Sequence, residues 1–256
     1  KIISRSNASP DTYLKNKIKR YIFSKIYGLS DKVIVNSNEF AKNFKRILKV
    51  KPIVVYNPSY NLKEIKLKSK KPINNYFFSK KNINFINVGR LTEQKNQILL
   101  LKTFKELNFI NYKLLIIGTG KEYINLQNYI ISNNLNNKVK ILKNISNPLP
   151  YIKKSDVFIL SSLYEGLPNV LIEAQALKKI IISSNCKTGP NEILISGKAG
   201  YLFKNNNKND LKSNILSLIK KNKINKKKIL EGYRKIYRFD ENKNCLIYHQ
   251  EVIKLK

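Results

Sequence analysis

Between positions 83 and 203 the chain alternates short apolar runs, rich in β-branched and aromatic residues, with stretches whose apolar residues recur at helical spacing. The runs fall at 83–88, 113–117, 138–142, 156–160, 180–183 and 200–203. A run apolar on both faces belongs inside a parallel sheet, and parallel neighbours need a crossover, which the intervening helical stretches supply. The spacing predicts helices over 96–107, 122–133, 149–153, 168–177 and 210–220, a short turn or helix over 192–195, and a further basic helix over 223–237. The fold expected is α/β, a doubly wound parallel sheet with helices on both faces. In such sheets ligands bind beyond the carboxyl ends of the strands, so residues directly after each strand are the candidates for chemistry.

The densest of these follows the run Asp156-Val157-Phe158-Ile159-Leu160. Ser161-Ser162-Leu163-Tyr164-Glu165-Gly166 turns the chain, and Leu167, Leu171, Ile172 and Ala176 then repeat at helical spacing, with Pro168 where a first-turn proline is tolerated. Glu165 and Gly166 stand at the crevice, and Glu173 comes about two turns into the helix. Taken alone, the pair also fits a first-turn dipole partner and a solvated helix charge. The first strand ends in Gly89-Arg90-Leu91-Thr92-Glu93-Gln94-Lys95-Asn96. Glycine allows a sharp turn beside a ligand, Arg90 can grip phosphate oxygens bidentately, and Lys95 can serve as a point charge. Two surface cations in a lysine-rich chain is the plainer alternative. The second strand ends in Gly118-Thr119-Gly120-Lys121, which lacks the third glycine of a dinucleotide fingerprint and so offers no support for a nicotinamide cofactor.

Before this region the sequence predicts a short strand over 1–7, one helix from Pro10 through Tyr27, a strand over 31–37, a helix over 38–48 and an extended run over 51–58. Residues 59–80 are lysine-rich and without period, as in a linker. A last helix over 240–255 has Asp240 as N-cap, with Cys245, Leu246, Val252 and Ile253 on a loosely apolar face. Each βα unit uses about thirty residues, so 1–58 is too short for a doubly wound domain and reads as the closing part of one. Val33-Ile34-Val35 is then expected to be an exposed apolar edge.

The formal charge of +34 ordinarily points to nucleic acid or an anionic membrane. Only six of the fifty basic residues are arginine, the side chain that base and phosphate recognition favours, and no nucleic-acid motif is present, so nucleic acid is not an expected partner. An anionic membrane surface, for which lysine suffices, remains. Cys186 and Cys245 are too far apart in sequence for a zinc-type cluster and read as reduced thiols of a cytoplasmic protein. No apolar run reaches the about 18 residues of a membrane span.

The spacing Glu165-x7-Glu173, with the segments Gly89-Arg90-Leu91…Gln94-Lys95-Asn96, Gly118-Thr119-Gly120 and Gly189-Pro190-Asn191-Glu192-Ile193, resembles glycosyltransferase family 4, in its bacterial surface-polysaccharide branch. The resemblance covers about residues 1–203. It implies a GT-B fold, with 1–58 as remnant of the N-terminal acceptor domain, 59–80 as linker, 81–237 as the nucleotide-sugar-binding domain and 238–256 as a helix returning toward the first domain. It implies retention of anomeric configuration, a UDP-sugar donor, a glycan or lipid-linked acceptor, and no metal ion or other cofactor. It assigns Arg90 and Lys95 to the diphosphate, Glu165 to the donor sugar near its anomeric centre and Glu173 to the ribose. Gly89, Gly118, Gly166 and Leu167 would line the pocket, and Asn144 and Ile145 would hold the base. The only histidine, His249, lies in the last helix apart from any acid or nucleophile and is not a site residue. A nucleotide-sugar binder without transfer, or a basic nucleic-acid binder with steep salt dependence, are the other classes to be separated.

Overall fold

The computed structural model describes residues 1–7, 9–73, 77–107, 110–220 and 226–255. The chain divides into two units, one of 1–61 with 237–256 and one of 62–236.

In the first unit, β1 (Ile3–Ser6), β2 (Lys32–Val35) and β3 (Ile53–Val54) pair in parallel in that order. The central strand is therefore not an exposed edge. Val33, Ile34 and Val35 are 4%, 1% and 0% exposed, because β1 and β3 occupy both sides of β2. The single helix expected from Pro10 is two, α1 (Pro10–Tyr13) and α2 (Lys17–Gly28). Leu14 leaves helical geometry to enter the core, and the Asn16 side chain accepts from the Ile18 amide at 2.7 Å to start a new helix. Ser37 likewise caps α3 (Asn38–Asn43) by accepting from Phe40 N, and a π-helical turn Phe44–Leu48 then buries Phe44 and Leu48. These two, with Leu14, Val33, Val35 and Phe40, make the core of this unit.

The C-terminal helix Glu241–Ile253 belongs to the same unit and has its expected cap, Asp240 Oδ1 accepting from Lys243 N at 3.0 Å. The apolar face expected of it is outside: Cys245 is exposed and Leu246, Val252 and Ile253 are 57%, 50% and 47% exposed. Polar groups fasten this helix instead. Lys32 pairs with Glu251 at 3.0 Å, and buried Asn244 donates to the Arg238 and Asp240 carbonyls.

The second unit opens with α4 (Leu62–Lys68), inside the stretch read as linker. Ile65 is its buried residue, too little apolar period to show among lysines, and positions 74–76 of that stretch lie outside the described residues. The alternation then follows the sequence reading closely. It runs β4 (Ile83–Val88), α5 (Gln97–Lys105), β5 (Tyr112–Ile117), α6 (Tyr123–Ser132), β6 (Val139–Leu142), α7 (Leu149–Lys154), β7 (Val157–Leu160), α8 (Asn169–Ala176), β8 (Ile180–Ser184), α9 (Pro190–Ile193), β9 (Tyr201–Phe203), α10 (Lys208–Lys220) and α11 (Lys226–Lys235). Residues 223–225 of the last predicted helix lie outside the described residues.

All six strands are parallel, in the order β6-β5-β4-β7-β8-β9. Phe85, Leu114, Ile116, Val157, Ile159 and Ile182 face one side, packed with Leu100, Phe104, Leu126, Ile130, Leu211 and Ile215 of α5, α6 and α10. Their buried neighbours Ile86, Leu115, Phe158 and Ile181 point the opposite way by strand alternation, toward the side of α7 and α8. Helices thus cover both faces, as the doubly wound expectation required. The chain winds outward from β4 through β5 to β6, then returns to place β7 against the free side of β4. That reversal makes the carboxyl ends of β4 and β7 the topological switch point.

Candidate functional site

Two loops meet at the switch point. After β4, Gly89 and Arg90 lead into a short 3-10 turn, Glu93–Lys95. After β7, Ser161 to Pro168 lead into α8. Backbone and side-chain hydrogen bonds sew the loops together: Leu163 N donates to Gln94 O at 2.8 Å, Gln94 Nε2 to Tyr164 O at 2.9 Å, and Ser161 Oγ to Lys95 O at 2.8 Å. The β4 loop is also fixed internally, since Gln97 Nε2 donates to Arg90 O at 2.9 Å.

This stitching brings Lys95 and Glu165 into direct contact, Nζ to Oε1 at 2.5 Å, with side chains only 15% and 7% exposed. Ser162 Oγ donates to the same Oε1 at 2.6 Å. The Glu165 backbone is held too, because Thr188 Oγ1 donates to its carbonyl oxygen. Thr188 precedes Gly189, whose φ of 74° and position against Gly166 O, 1.9 Å from where a Cβ would stand, admit no side chain. Neighbouring Cys186 is buried, and burial, aided by the Glu165 charge, pushes its thiol up to about 11, leaving it an unreactive thiol.

Arg90 lies one residue past Gly89 with its side chain exposed, on a pocket of about 310 Å³ shared with Thr92, Glu93, Gln94, Lys121, Leu163 and Tyr164. Arg90 and Lys121 make one wall cationic. Gly118, at the end of β5, packs its Cα against Gly89, so that a Cβ would sit 1.9 Å from Gly89 O. The role of Gly118 is thus close backbone approach between adjacent loops.

Leu167 is buried beside half-buried Gly166, and both precede α8, whose first residue is Asn169. Glu173 is largely withdrawn from solvent, and burial raises its carboxyl above the ordinary range against the opposing influence of Lys68 on α4. Asn144 and Ile145 follow β6, Asn144 exposed with a left-handed φ of 56° and Ile145 half-buried. The geometry brings Lys95 to Glu165 and sets Arg90 on the adjoining pocket, while Glu173 stands within α8 and Asn144 and Ile145 follow β6. Ser162, Thr188, Gln94, Lys121 and Lys68 were not foreseen as site residues. Lys121 carried a signal, its place directly after Gly120 at a strand end, whereas Ser162 and Thr188 are common residue types with none. Among the described residues no three or more His, Cys, Asp or Glu side chains gather to hold a metal ion, and no helix is long and apolar enough to cross a membrane.

A six-stranded parallel sheet covered by helices on both faces, with charged side chains gathered at its switch point, defines a class, the doubly wound α/β proteins, in which ligands bind beyond the strand ends. The profile of the family described as glycosyl transferases group 1 matches residues 68–235, and the chain belongs to that family. An uncharacterized glycosyltransferase of Methanocaldococcus jannaschii is 39% identical over 203 residues, covering 74% of this chain and 50% of the relative. A Campylobacter jejuni relative, named as an N-acetylgalactosamine-N,N'-diacetylbacillosaminyl-diphospho-undecaprenol 4-alpha-N-acetylgalactosaminyltransferase, is 28% identical, covering 88% of this chain and 62% of the relative. The crystal structure of Anabaena HepE in complex with UDP superposes with a TM-score of 0.80 at 16% identity, over 98% of this chain and 72% of that one. The fold is therefore of the GT-B type, and the chain spans about half to two thirds of the length of these two curated relatives.

Proposed function

We propose that the chain carries the donor-binding part of a retaining, family 4 glycosyltransferase, a cytoplasmic enzyme that moves a hexosyl or N-acetylhexosaminyl group from a UDP-sugar to a glycan or lipid-linked acceptor. The observation that carries this reading is the pair of cations Arg90 and Lys95 at the switch point, joined on the Arg90 pocket by Lys121 from the loop after β5, with Lys95 already bound to the Glu165 carboxylate. The relatives support it through what their names state: a diphospho-undecaprenol-linked acceptor for the Campylobacter enzyme and UDP for HepE.

As the bond from the sugar's anomeric carbon to the diphosphate breaks, negative charge grows on the departing oxygen, and preorganised cations stabilise that state. Arg90 and Lys95 take this role. For Lys95 to reach a phosphate it has to leave Glu165, so the diphosphate and Glu165 compete for one ammonium group. Ser162 keeps its hold on the released carboxylate, which is then open to hydroxyl groups of the donor sugar. Glu173 takes the ribose hydroxyls, and Asn144 and Ile145 the base. No metal ion takes part, and chelation with EDTA is expected to leave UDP affinity unchanged.

Calorimetric titration tests the assignment. Arg90→Ala is expected to weaken UDP by about ten- to a hundredfold, the loss of one charge-assisted phosphate contact, with uridine unaffected. Glu173→Ala should weaken both. Equal losses of UDP and uridine in Arg90→Ala would remove the diphosphate from the Arg90 pocket.

A further inference from the structure

The geometry points to Lys68 as a positioning residue for the nucleotide, an ammonium on α4 that keeps the Glu173 carboxyl ionised for the ribose; the inference rests on the ribose role proposed for Glu173. A ribose diol offers two O–H donors. A carboxylate accepts both, one on each oxygen, whereas a protonated carboxyl gives up part of that capacity to its own proton. The surroundings of Glu173 work against ionisation. Leu171, Ile172, Ala174, Gln175 and Ala176 beside it are all buried, because β7, β8, α4, α7, α9 and α11 cover α8 on most sides. Burial raises the Glu173 carboxyl, and the Lys68 charge opposes that rise.

The placement of Lys68 is fixed from both ends of its helix turn. α4 packs against α7 and α8 and is anchored by buried Ile65. Asn147 Nδ2, just ahead of α7, donates to the Lys68 carbonyl at 2.9 Å and holds the backbone there. One turn earlier Glu64 pairs with the Lys68 ammonium at 2.6 Å, both side chains about half exposed. Lys68 thus acts on two carboxylates, one in water and one withdrawn from it. The exposed pair contributes little, while the same charge acts more strongly on a group that water screens less. The remaining elements on α8 carry other titratable groups. α7 brings Tyr151, Lys153 and Lys154, α9 brings Glu192, α11 brings Glu231 and Tyr233 on either side of Gly232, and β7 and β8 bring none. Tyr233 already carries Lys66 and Lys178 over its ring, at 5.9 and 4.5 Å. The charge that bears on Glu173 is that of Lys68.

Carboxyl NMR and uridine titrations across pH, both on the whole chain, test this. The Glu173 carboxyl carbon is assigned in labelled protein by its loss in Glu173→Gln. Lys68→Gln should raise its titration midpoint, Lys68→Arg should restore it, and Glu64→Gln, which releases Lys68 from its exposed partner, should lower it. Circular dichroism is expected to be unchanged, since Lys68 and Glu64 are surface positions. Uridine should follow the carboxyl. On the acid side of the midpoint Lys68→Gln should bind it up to about tenfold more weakly than wild type, and well above the midpoint equally, because Glu173 is then ionised in both. A midpoint that Lys68→Gln leaves unmoved overturns the proposal. So does uridine weakened by the same factor at every pH, or UDP weakened by more than uridine, either of which would make Lys68 a direct ligand contact. A midpoint that moves as expected, with uridine indifferent to Glu173→Gln, would uphold the coupling and overturn the ribose role on which its use depends.

Discussion

At the scale of single residues, the contact that organises the site is the Lys95–Glu165 pair, largely out of solvent and shared with Ser162. Removing one partner of a buried pair leaves the other charge uncompensated, at a cost of roughly 3–5 kcal/mol. Glu165→Gln is therefore expected to lower the melting temperature of the ligand-free protein. The same change frees Lys95 for phosphate, so UDP should bind more tightly to Glu165→Gln than to wild type and recover much of the lost melting temperature. Thermal melts with and without UDP decide this, and a variant that is destabilised equally in both conditions would show that Lys95 does not meet the diphosphate. Gly118→Ala offers a second test, since its Cβ would collide with Gly89 O and the β4 and β5 loops would have to part. A loss of roughly 1–3 kcal/mol is expected from such overpacking, with weaker UDP binding. Of all this the sequence showed the individual residues and not their meeting. Lys95 and Glu165 are seventy residues apart, and they touch because β7 pairs with β4, a choice of neighbour that the order of elements leaves open.

At the scale of elements, buried strands were legible because a parallel strand covered on both faces is apolar at every position, as Val157–Leu160 shows. Elements held by one or two contacts were not. The helix Leu62–Lys68 rests on Ile65, the interruption at Leu14 follows from tertiary burial, and Leu246, Val252 and Ile253 have helical spacing yet remain exposed. Charge joins other elements: Glu106, just past α5, receives Lys208 and Lys212 of α10. Their hydrogen bonds lower its carboxyl to about 2. A carboxyl lowered on folding contributes stability that is present above its unfolded value and is lost as pH falls through the folded one. Glu106→Gln should thus melt below wild type at neutral pH, and the difference should shrink from about pH 4.5 down to about 2. A difference that persists unchanged at the acid end would assign the effect to packing.

At the scale of the molecule, the two units have separate cores of unequal extent. The core of 62–236 runs across a six-stranded sheet with α5, α6 and α10, whereas that of 1–61 with 237–256 is gathered around Phe40, Phe44 and Leu48 beside three short strands. Local opening free energy follows the apolar contacts that opening must break, so amides in the smaller unit should exchange sooner. Native-state hydrogen exchange is expected to show Phe85–Val88 and Val157–Leu160 among the slowest amides, and Val33–Val35 slower than α2 but faster than both. UDP binds only the folded second unit under the proposed function, so it should slow exchange across β4, β7 and their loops by mass action. It should leave Val33–Val35 unchanged if the units open independently. Equal slowing in both units would show instead that they open as one, and the separate cores would then not be separate units of stability.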